Sequence, residues 1–271
     1  MHDSDVKSIR LISAPVHRMT MAYYQRPEVE DIDDDSRIIR FRCFNPRKIT
    51  GSRIAAIVGQ NEHSSEFRAA CEIAGLYREP PSKFTEAGNV MEPVIREYIR
   101  ENSARYIGDA LGEGELGVED PVPAKECSYE HFPEATPFGG MVDGWVDLDG
   151  KHAAVLEIKT ASRRSDWFGP DDEEIVPPNY LLQTSLYCDL SGMRKIVFVV
   201  GFPGEEDYEA PEDWTPNDDN VIVRIVDPVP MADYKKQALE WYDRYIRKGI
   251  TPKWTMDDTY VVDEILKSAG Y

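Results

Sequence analysis

The run of residues that most constrains the fold of this chain is KIVFVVGF, at 195–202. A strand that is apolar on both faces is typical of a sheet covered on both sides. Helical patterns with one apolar stripe lie at residues 85–102, 177–193 and 231–249, and a further strand is predicted at 220–228. This order of elements predicts one α/β domain with a central mixed sheet flanked by helices.

The length of the chain, 271 residues, is enough for one large domain with a hydrophobic core. We expect an N-terminal extension at residues 1–44, the main domain at 45–250, and a C-terminal tail at 251–271 that packs on the domain. A strand is predicted at 36–44, and a weaker one near 125–132.

The charge of the chain is strongly acidic, with 31 Lys and Arg residues against 50 Asp and Glu residues and a net charge of −19. This balance argues against a general nucleic-acid binder, which carries a basic surface. Two basic clusters, at 45–53 and 160–165, still allow a locally basic groove on an acidic body. The acidic residues concentrate in four stretches that are predicted as surface loops: 27–36, 108–120, 169–178 and 204–220.

Membrane and secretory segments are not expected. The sequence has no run of eighteen apolar residues, and its first ten residues lack the apolar segment of a secretory signal. The cysteines are scattered without a CxxC pair, which argues against a zinc or iron–sulfur site and predicts reduced intracellular thiols. They are Cys43, Cys71, Cys127 and Cys188.

Charged residues interrupt an apolar strand pair at 139–160, GGMVDGWVDLDGKHAAVLEIKT. Asp143 lies in the first strand, and Glu157 and Lys159 lie in the second. Because a buried charge is costly unless it is paired or bound to a metal, these residues suggest a functional site. Two converging carboxylates suit magnesium or manganese, and a lysine beside them can orient or deprotonate a water for phosphodiester hydrolysis.

The register of this hairpin decides whether Asp143 and Glu157 share a face. A two-residue turn at Asp149-Gly150 separates them, whereas a three-residue loop at 148–150 brings them within roughly 5–8 Å. We therefore predict that the connection is not a two-residue turn, and such a turn without a compensating bulge would contradict the metal site. The D-x13-E-x-K spacing alone leaves a solvated edge hairpin as an alternative.

The hairpin and the following helix, VPPNYLLQTSLYCDLSGM, together resemble the YqaJ-like family of viral recombination exonucleases, which includes lambda exonuclease. This family belongs to the PD-(D/E)XK nuclease superfamily. The resemblance covers residues 47–202 and rests on the D…E-x-K hairpin joined to the Pro-x-x-Tyr-x-x-Gln pattern of the helix. It implies a PD-(D/E)XK nuclease fold.

The resemblance also implies roles for residues of the hairpin and the helix. Asp143 and Glu157 would bind the metal ion, with the carbonyl of Ile158 as a further ligand. Lys159 would be the catalytic lysine, and Gln183 would support the site.

An additional acidic ligand is implied by the motif GNVMEP, whose glutamate is Glu92. At 100° per residue this glutamate falls at the margin of the apolar stripe of its helix, from which it could reach a metal at the edge of the core. The alternative is an exposed Glu92 that pairs with Arg96, four residues later.

DNA contacts are implied by the segment RKITGSRIAAIVG, which resembles the part of the family that binds the 5′-phosphate of a DNA end. Arg47, Ser52 and Arg53 are the candidates, since a helix N-terminus beside a guanidinium binds anions. A capped helix with surface arginines is the alternative. Further DNA contacts are expected from three residues: Arg163, Arg164 and Tyr180.

The activity that the resemblance implies is a metal-dependent exonuclease that uses magnesium, with manganese as a substitute. It would degrade one strand of linear duplex DNA, 5′→3′, from a 5′-phosphorylated end in phage-type recombination. Family members commonly form rings, here a trimer by resemblance, and pair with a single-strand annealing protein in the cytoplasm of the bacterial host. The alternatives are an endonuclease or single-strand-preferring nuclease, and a non-catalytic DNA mimic, which would not need the lysine.

Overall fold

A computed structural model describes residues 27–269 of the chain. The strands in this range are β1 (Glu28–Asp33), β2 (Ile38–Arg42), β3 (Leu116–Glu119), β4 (Gly144–Leu148), β5 (Lys151–Thr160), β6 (Ile196–Gly201) and β7 (Val221–Val226). The α-helices are α1 (Gly51–Ile57), α2 (Glu66–Ala74), α3 (Lys83–Glu101), α4 (Ser103–Tyr106), α5 (Gly108–Leu111), α6 (Pro178–Ser191), α7 (Ala232–Arg244) and α8 (Thr259–Ala269).

A five-stranded mixed sheet forms the centre of the molecule, in the order β3-β4-β5-β6-β7. Its neighbouring strands are antiparallel except for β5 and β6, which are parallel because α6 crosses over between them. All six residues of β6 are buried, as its apolar sequence predicts. The predicted α/β class with a central mixed sheet is therefore confirmed.

Helices cover both faces of this sheet. On one face, Met91, Ile95 and Ile99 of α3 are fully buried against a cluster that includes Leu156 and Val197 of the sheet. They recur every fourth residue, so they form one stripe of the helix. Ser82 is the N-cap of α3, and its hydroxyl accepts a hydrogen bond from the amide of Thr85.

The opposite face of the sheet packs against α6, which begins at Pro178 and ends before Gly192 in the left-handed conformation. Tyr187 and Cys188 of this helix join Val155 and Phe198 of the sheet in one buried cluster. Helices α1 and α7 form a further layer on the outer side of α6. Glu157 points into the space between the sheet and α6, which places the candidate site in the interior.

The strand predictions at the edges of the fold have mixed outcomes. The strand predicted at 36–44 is confirmed as β2, but the one predicted near 125–132 is wrong, since the chain turns there. The acidic stretch at 108–120 is not only a loop, because it contains α5 and β3. An edge strand pairs on one side only, so β3 tolerates polar residues and glycine. The acidic stretch 27–36 likewise contains β1.

The two-stranded sheet of β1 and β2 is tied to the segment that follows α7. The amide of Phe41 donates to the carbonyl of Gly249 at 2.8 Å, and the amide of Ile39 donates to the hydroxyl of Thr251 at 2.9 Å. The described residues from both ends of the chain therefore meet. Within residues 27–269, none of the helices is long and apolar enough to cross a membrane.

Candidate active site

The turn between β4 and β5 has two residues, so our prediction that it would not is wrong. Leu148 pairs with Lys151, and the intervening Asp149 and Gly150 have φ angles of 52° and 72°. Two positive φ angles are those of a type I′ turn, for which Asp-Gly is a preferred sequence. The local turn chemistry therefore determines the connection.

A β-bulge compensates for this turn. Asp147 lies opposite His152, but the preceding Val146 lies opposite Ala154, so Ala153 is the extra residue of the bulge. One additional residue in one strand reverses the alternation of faces beyond it. The bulge therefore puts the side chains of Asp143 and Glu157 on one face of the hairpin, as the three-residue loop that we considered would have done.

Asp143 and Glu157 consequently lie together. Gly144 is opposite Leu156, and continuing this register by one residue places Asp143 opposite Glu157. The amide of Ile158 donates to Oδ2 of Asp143 at 2.9 Å, which fixes the aspartate against β5. The pair is directly opposed, whereas the loop that we considered would have placed it diagonally.

Glu157 is almost completely buried, with 1% of its surface exposed. Its Oε1 accepts hydrogen bonds from Nζ of Lys159 and, at 2.6 Å, from Nε2 of Gln183. Its Oε2 is also buried but has no hydrogen-bond partner. Burial raises the pKa of Glu157, and the nearby Asp143 carboxylate adds to the effect although the Lys159 ammonium opposes it. One oxygen is thus held by two donors while the other is left for a ligand.

Lys159 is mostly buried beside this glutamate, and its Nζ lies 5.3 Å from the centre of the Tyr180 ring. Burial alone would lower the pKa of Lys159, but the carboxylates of Glu157 and Asp143 outweigh it and raise the pKa above its ordinary value. The side chain therefore carries a positive charge, and the aromatic face adds a favourable contact.

Glu92 reaches the same site from α3 and forms an ion pair with Arg96, as our alternative predicted. Glu92 is nevertheless not fully exposed, and burial together with the charge of Asp143 raises its pKa. Arg96 is buried, and its Nε donates to the backbone carbonyl of Asp143 at 2.8 Å. The ion pair and the proximity to the site therefore coexist, and Arg96 is a site residue that the sequence indicated only as a partner of Glu92.

The carbonyl of Ile158 also faces the carboxylates. The amide of Val155 donates to the carbonyl of Lys195, just before β6, and the amide of Ala161 donates to the carbonyl of Gly201, the last residue of β6, so alternate residues of β5 face that side. Ile158 lies three residues from each of these two donors, so its backbone groups point to the opposite edge of β5, and its amide donates to Asp143. Because the amide and carbonyl of a strand residue lie on the same edge, the Ile158 carbonyl points toward β4 as well.

These donors are of the chemical type that suits a divalent cation, although the ligand atoms of Asp143, Glu157 and Glu92 do not all lie within 4.8 Å of one another. The carboxylates of Asp143, Glu157 and Glu92 and the Ile158 carbonyl are all hard oxygen ligands, the type that suits magnesium and manganese. The buried Oε2 of Glu157 without a partner is the observation that favours an ion, since such an atom is costly unless something binds it.

The segment proposed to bind phosphate lies next to Gln183. A Cβ at Gly51, the first residue of α1, would lie 2.6 Å from Cγ of Gln183 and 2.7 Å from its carbonyl oxygen. Only glycine permits this approach of α1 to α6. The exposed Ser52 follows, with its hydroxyl 3.0 Å from that of Thr50. The start of α1 is therefore close to the glutamine that contacts Glu157.

The two arginines of this segment have different surroundings. Arg53 is engaged by its neighbours, because its Nε lies 3.2 Å from Glu72 and its Nη1 donates to the carbonyl of Lys48. The amide of Arg47 donates to the carbonyl of Ile73 at 2.7 Å. The structure therefore directs Arg53 toward α2 rather than toward Glu157.

The residues expected to make further DNA contacts lie beyond the end of β5. Arg163 is exposed and 3.3 Å from Asp166. Arg164 donates to the carbonyl of Asp219 at 2.7 Å. Tyr180 stacks on Trp167 with an interplanar angle of 13°, so its ring is held beside Lys159. Of the three, only Tyr180 contacts the residues of the hairpin site.

The mixed sheet of this α/β fold carries a buried glutamate and a lysine on a central strand, and an aspartate lies opposite the glutamate. Residues 40–194 match the model of the YqaJ-like viral recombinase domain, and the chain belongs to this family. The match contains both the hairpin and helix α6.

Two mycoplasma proteins are similar to most of the chain. The uncharacterized protein MG373 of Mycoplasma genitalium is 27% identical over 256 residues, which cover 78% of this chain and 85% of the relative. Its homolog in Mycoplasma pneumoniae is 26% identical over 273 residues, with coverage of 84% and 92%.

Two solved exonuclease structures are also similar. The alkaline exonuclease LHK-Exo from Laribacter hongkongensis is 16% identical, with a TM-score of 0.45 and coverage of 82% of this chain and 93% of that one. A phage-related exonuclease from Haemophilus somnus is 15% identical, with a TM-score of 0.47 and coverage of 74% and 96%.

Proposed function

We propose that this nuclease is a magnesium-dependent 5′→3′ exodeoxyribonuclease that degrades one strand of linear duplex DNA from a 5′-phosphorylated end. The observation that carries the proposal is the proximity of Asp143, Glu157 and Lys159 on the paired strands, together with the buried Oε2 of Glu157, which has no hydrogen-bond partner. Family membership supports the nuclease activity.

Asp143, Glu157 and the Ile158 carbonyl would hold the magnesium ion, with Glu92 completing the site, and manganese would substitute for it. When bound, the ion supplies a Lewis acid for a phosphoryl oxygen and lowers the pKa of a bound water. Gln183 and Lys159 fix Oε1 of Glu157, which leaves Oε2 directed to the ion. Arg96 holds the backbone of Asp143 and the carboxylate of Glu92 in place.

Lys159 acts on the reacting phosphate as a cation. Its ammonium, held by Glu157 and the Tyr180 ring, orients the attacking water and stabilises the negative charge that develops on the phosphoryl oxygens. The water oxygen forms a bond to phosphorus, and the bond from phosphorus to the 3′-oxygen of the terminal nucleotide breaks. The 3′-oxygen takes up a proton, and a mononucleotide leaves.

Each cleavage creates a new 5′-phosphate on the remaining strand, so a phosphate site next to the metal would hold every successive end. Ser52 and Arg47 at the start of α1 are the proposed ligands, because the contact between Gly51 and Gln183 places this segment beside the site. Arg53 contributes after rearrangement of its contact with Glu72. Arg163, Arg164 and Tyr180 would contact the rest of the DNA.

The assembly that fits this task is a ring around DNA, a trimer by resemblance to the family, which pairs with a single-strand annealing protein in the cytoplasm of a bacterial host. A ring would allow the net charge of −19 to lie on the outer surface while the basic clusters face the channel. Size-exclusion chromatography with light scattering tests the oligomeric state.

The test of the activity uses linear duplex DNA with either 5′-phosphate or 5′-hydroxyl ends, with magnesium and then with EDTA, beside closed circular DNA and linear single-stranded DNA. We expect magnesium-dependent loss of the phosphorylated linear DNA while circles remain intact. Cleavage of circles would instead support an endonuclease, and degradation of single strands alone a single-strand-preferring nuclease. No cleavage with magnesium or manganese would favour a DNA mimic.

A further inference from the structure

Three neighbouring strands bring a second group of metal-binding side chains together near the turn of the hairpin. Glu119 comes from β3, Asp147 from β4 and His152 from β5, and one ligand atom of each lies within 4.8 Å of the others. Nδ1 of His152 is 2.9 Å from Oδ1 of Asp147 and 3.9 Å from Oε2 of Glu119. Coordination of one ion requires only small movements from this arrangement.

The buried oxygen of Asp147 is the observation that points to a ligand. Asp147 is 6% exposed, and its Oδ1 is buried without a hydrogen-bond partner, although His152 Nδ1 is close by. Among the described residues, the only other carboxylate oxygen in this condition is Oε2 of Glu157, in the candidate active site.

The donor set of this group differs from that of the active site. One borderline imidazole nitrogen together with two carboxylate oxygens suits zinc, whereas magnesium prefers oxygen alone. Glu119 and His152 have side chains that are 58% and 43% exposed, so an ion here would be open to water, which would complete its coordination. The Trp145 ring lies 4.7 Å from the His152 ring and restricts its orientation.

The register explains why these residues converge. Glu119 lies opposite Trp145, two residues from Asp147 on β4, so both acidic side chains are on the same face of the sheet. His152 lies directly opposite Asp147, next to the bulge. We propose that Glu119, Asp147 and His152 bind one divalent transition-metal ion, preferentially zinc, which cross-links the edge strand β3 to the hairpin.

Zinc binding by the full chain tests the proposal directly. The apo protein, with its cysteines reduced, is titrated with zinc against a chromophoric chelator, and the matched variants are His152→Ala and His63→Ala, since both histidines are exposed. We expect one tight zinc site in the wild-type protein and in His63→Ala, and its loss in His152→Ala. Zinc uptake that is equal in the two histidine variants, or absent from the wild-type protein, would overturn the proposal.

Repeating the titration in Glu157→Gln, which removes a proposed magnesium ligand, distinguishes zinc binding at this group from zinc binding at the candidate active site. The zinc site should persist there and disappear when His152→Ala is added; a zinc site lost with Glu157→Gln alone would overturn the assignment. Neither result depends on nuclease activity, so failure of the proposed function is a separate outcome.

The cross-link itself is tested by thermal unfolding. Saturating zinc should raise the unfolding temperature of the wild-type protein by roughly 5 °C, because it binds the folded state alone. Asp147→Asn, a variant of nearly the same shape, should show no such rise. Cooperative unfolding of this variant without zinc serves as the check that it is folded. A simple ion pair between His152 and Asp147 would give no rise in the wild-type protein, and this result would overturn the proposal.

Discussion

The hairpin of β4 and β5 contributes to a proposed metal-binding group near each of its ends, and the two groups differ in their surroundings. Near the open end, Glu157 is enclosed between the sheet and α6, and two donors fix one of its oxygens. Near the turn, Glu119 and His152 are largely exposed, and only Asp147 is buried. Asp143 and Asp147 are four residues apart, which is roughly 13 Å along a strand.

This difference suggests different tasks for two sites on one hairpin. A buried carboxylate whose orientation is fixed by Lys159 and Gln183 is suited to chemistry, because its ligand is held in one geometry away from bulk water. Three ligands from three strands at an exposed edge are suited to holding the strands together.

Replacement of Glu157 by glutamine should reduce cleavage of linear duplex DNA by about a thousandfold or more, because a charged ligand of the proposed metal is lost. Cleavage rates under single-turnover conditions measure the effect, and circular dichroism checks the fold. Glu119→Gln, at the other group, is the matched control and should cleave at nearly the wild-type rate. Equal losses in both variants would contradict the separation.

Replacement of Lys159 by alanine should reduce the cleavage rate by about a hundredfold or more while magnesium still binds, because the ammonium stabilises charge without holding the ion. The measurements are the single-turnover rate and the magnesium concentration at half-maximal rate. Lys151→Ala, which changes an exposed lysine on the same strand, serves as the control. Wild-type activity in Lys159→Ala would rule out the proposed mechanism.

Replacement of Gln183 by alanine should weaken magnesium affinity by about 10- to 100-fold, because Glu157 loses a donor that orients it. Excess magnesium should restore most of the rate, which a loss of folding would not allow. An exposed glutamine of the loop after α1, Gln60, provides the control variant. An unchanged magnesium dependence would show that Gln183 does not position the glutamate.

Deletion of Ala153 should have the smallest effect, although it shortens the strand between the two groups. Without Ala153, the pair of Asp147 and His152 is followed directly by the pair of Val146 and Ala154. The side chains beyond this point, including Asp143 and Glu157, therefore keep their faces of the sheet. We expect cleavage near the wild-type rate. A large loss of activity in a folded deletion variant would mean that the shape of the bulge, and not only its register, is needed.

The strongly patterned parts of the sequence predicted the structure well. The apolar run at 195–202 and the Pro- and Gly-bounded stretch at 177–193 correspond to β6 and α6, because burial on both faces and helix-end signals are local properties. Asp143, Glu157 and Lys159 were also found from sequence, since charges within apolar strands are rarely placed there without a partner. Their catalytic roles remain predictions.

The features that depend on pairing between distant segments could not be predicted. β3 lies in an acidic, Gly-rich stretch, and only its pairing with β4 makes it a strand. The Asp149-Gly150 pair favoured a two-residue turn, but the bulge at Ala153 is seen only in the pairing of β4 with β5. Glu119 and His152 are 33 positions apart, so their proximity depends on the register of three strands.

The bonds between β2 and the segment after α7 bear on how the chain folds during synthesis. Ile39 and Thr251 are separated by 212 positions, so this contact forms only after nearly all of the described chain has left the ribosome. The residues proposed for catalysis lie between 92 and 183, well before that point. Contacts of such long range form slowly. We therefore expect the central sheet to assemble before β2 forms its hydrogen bonds to Gly249 and Thr251, which follow α7 in the chain.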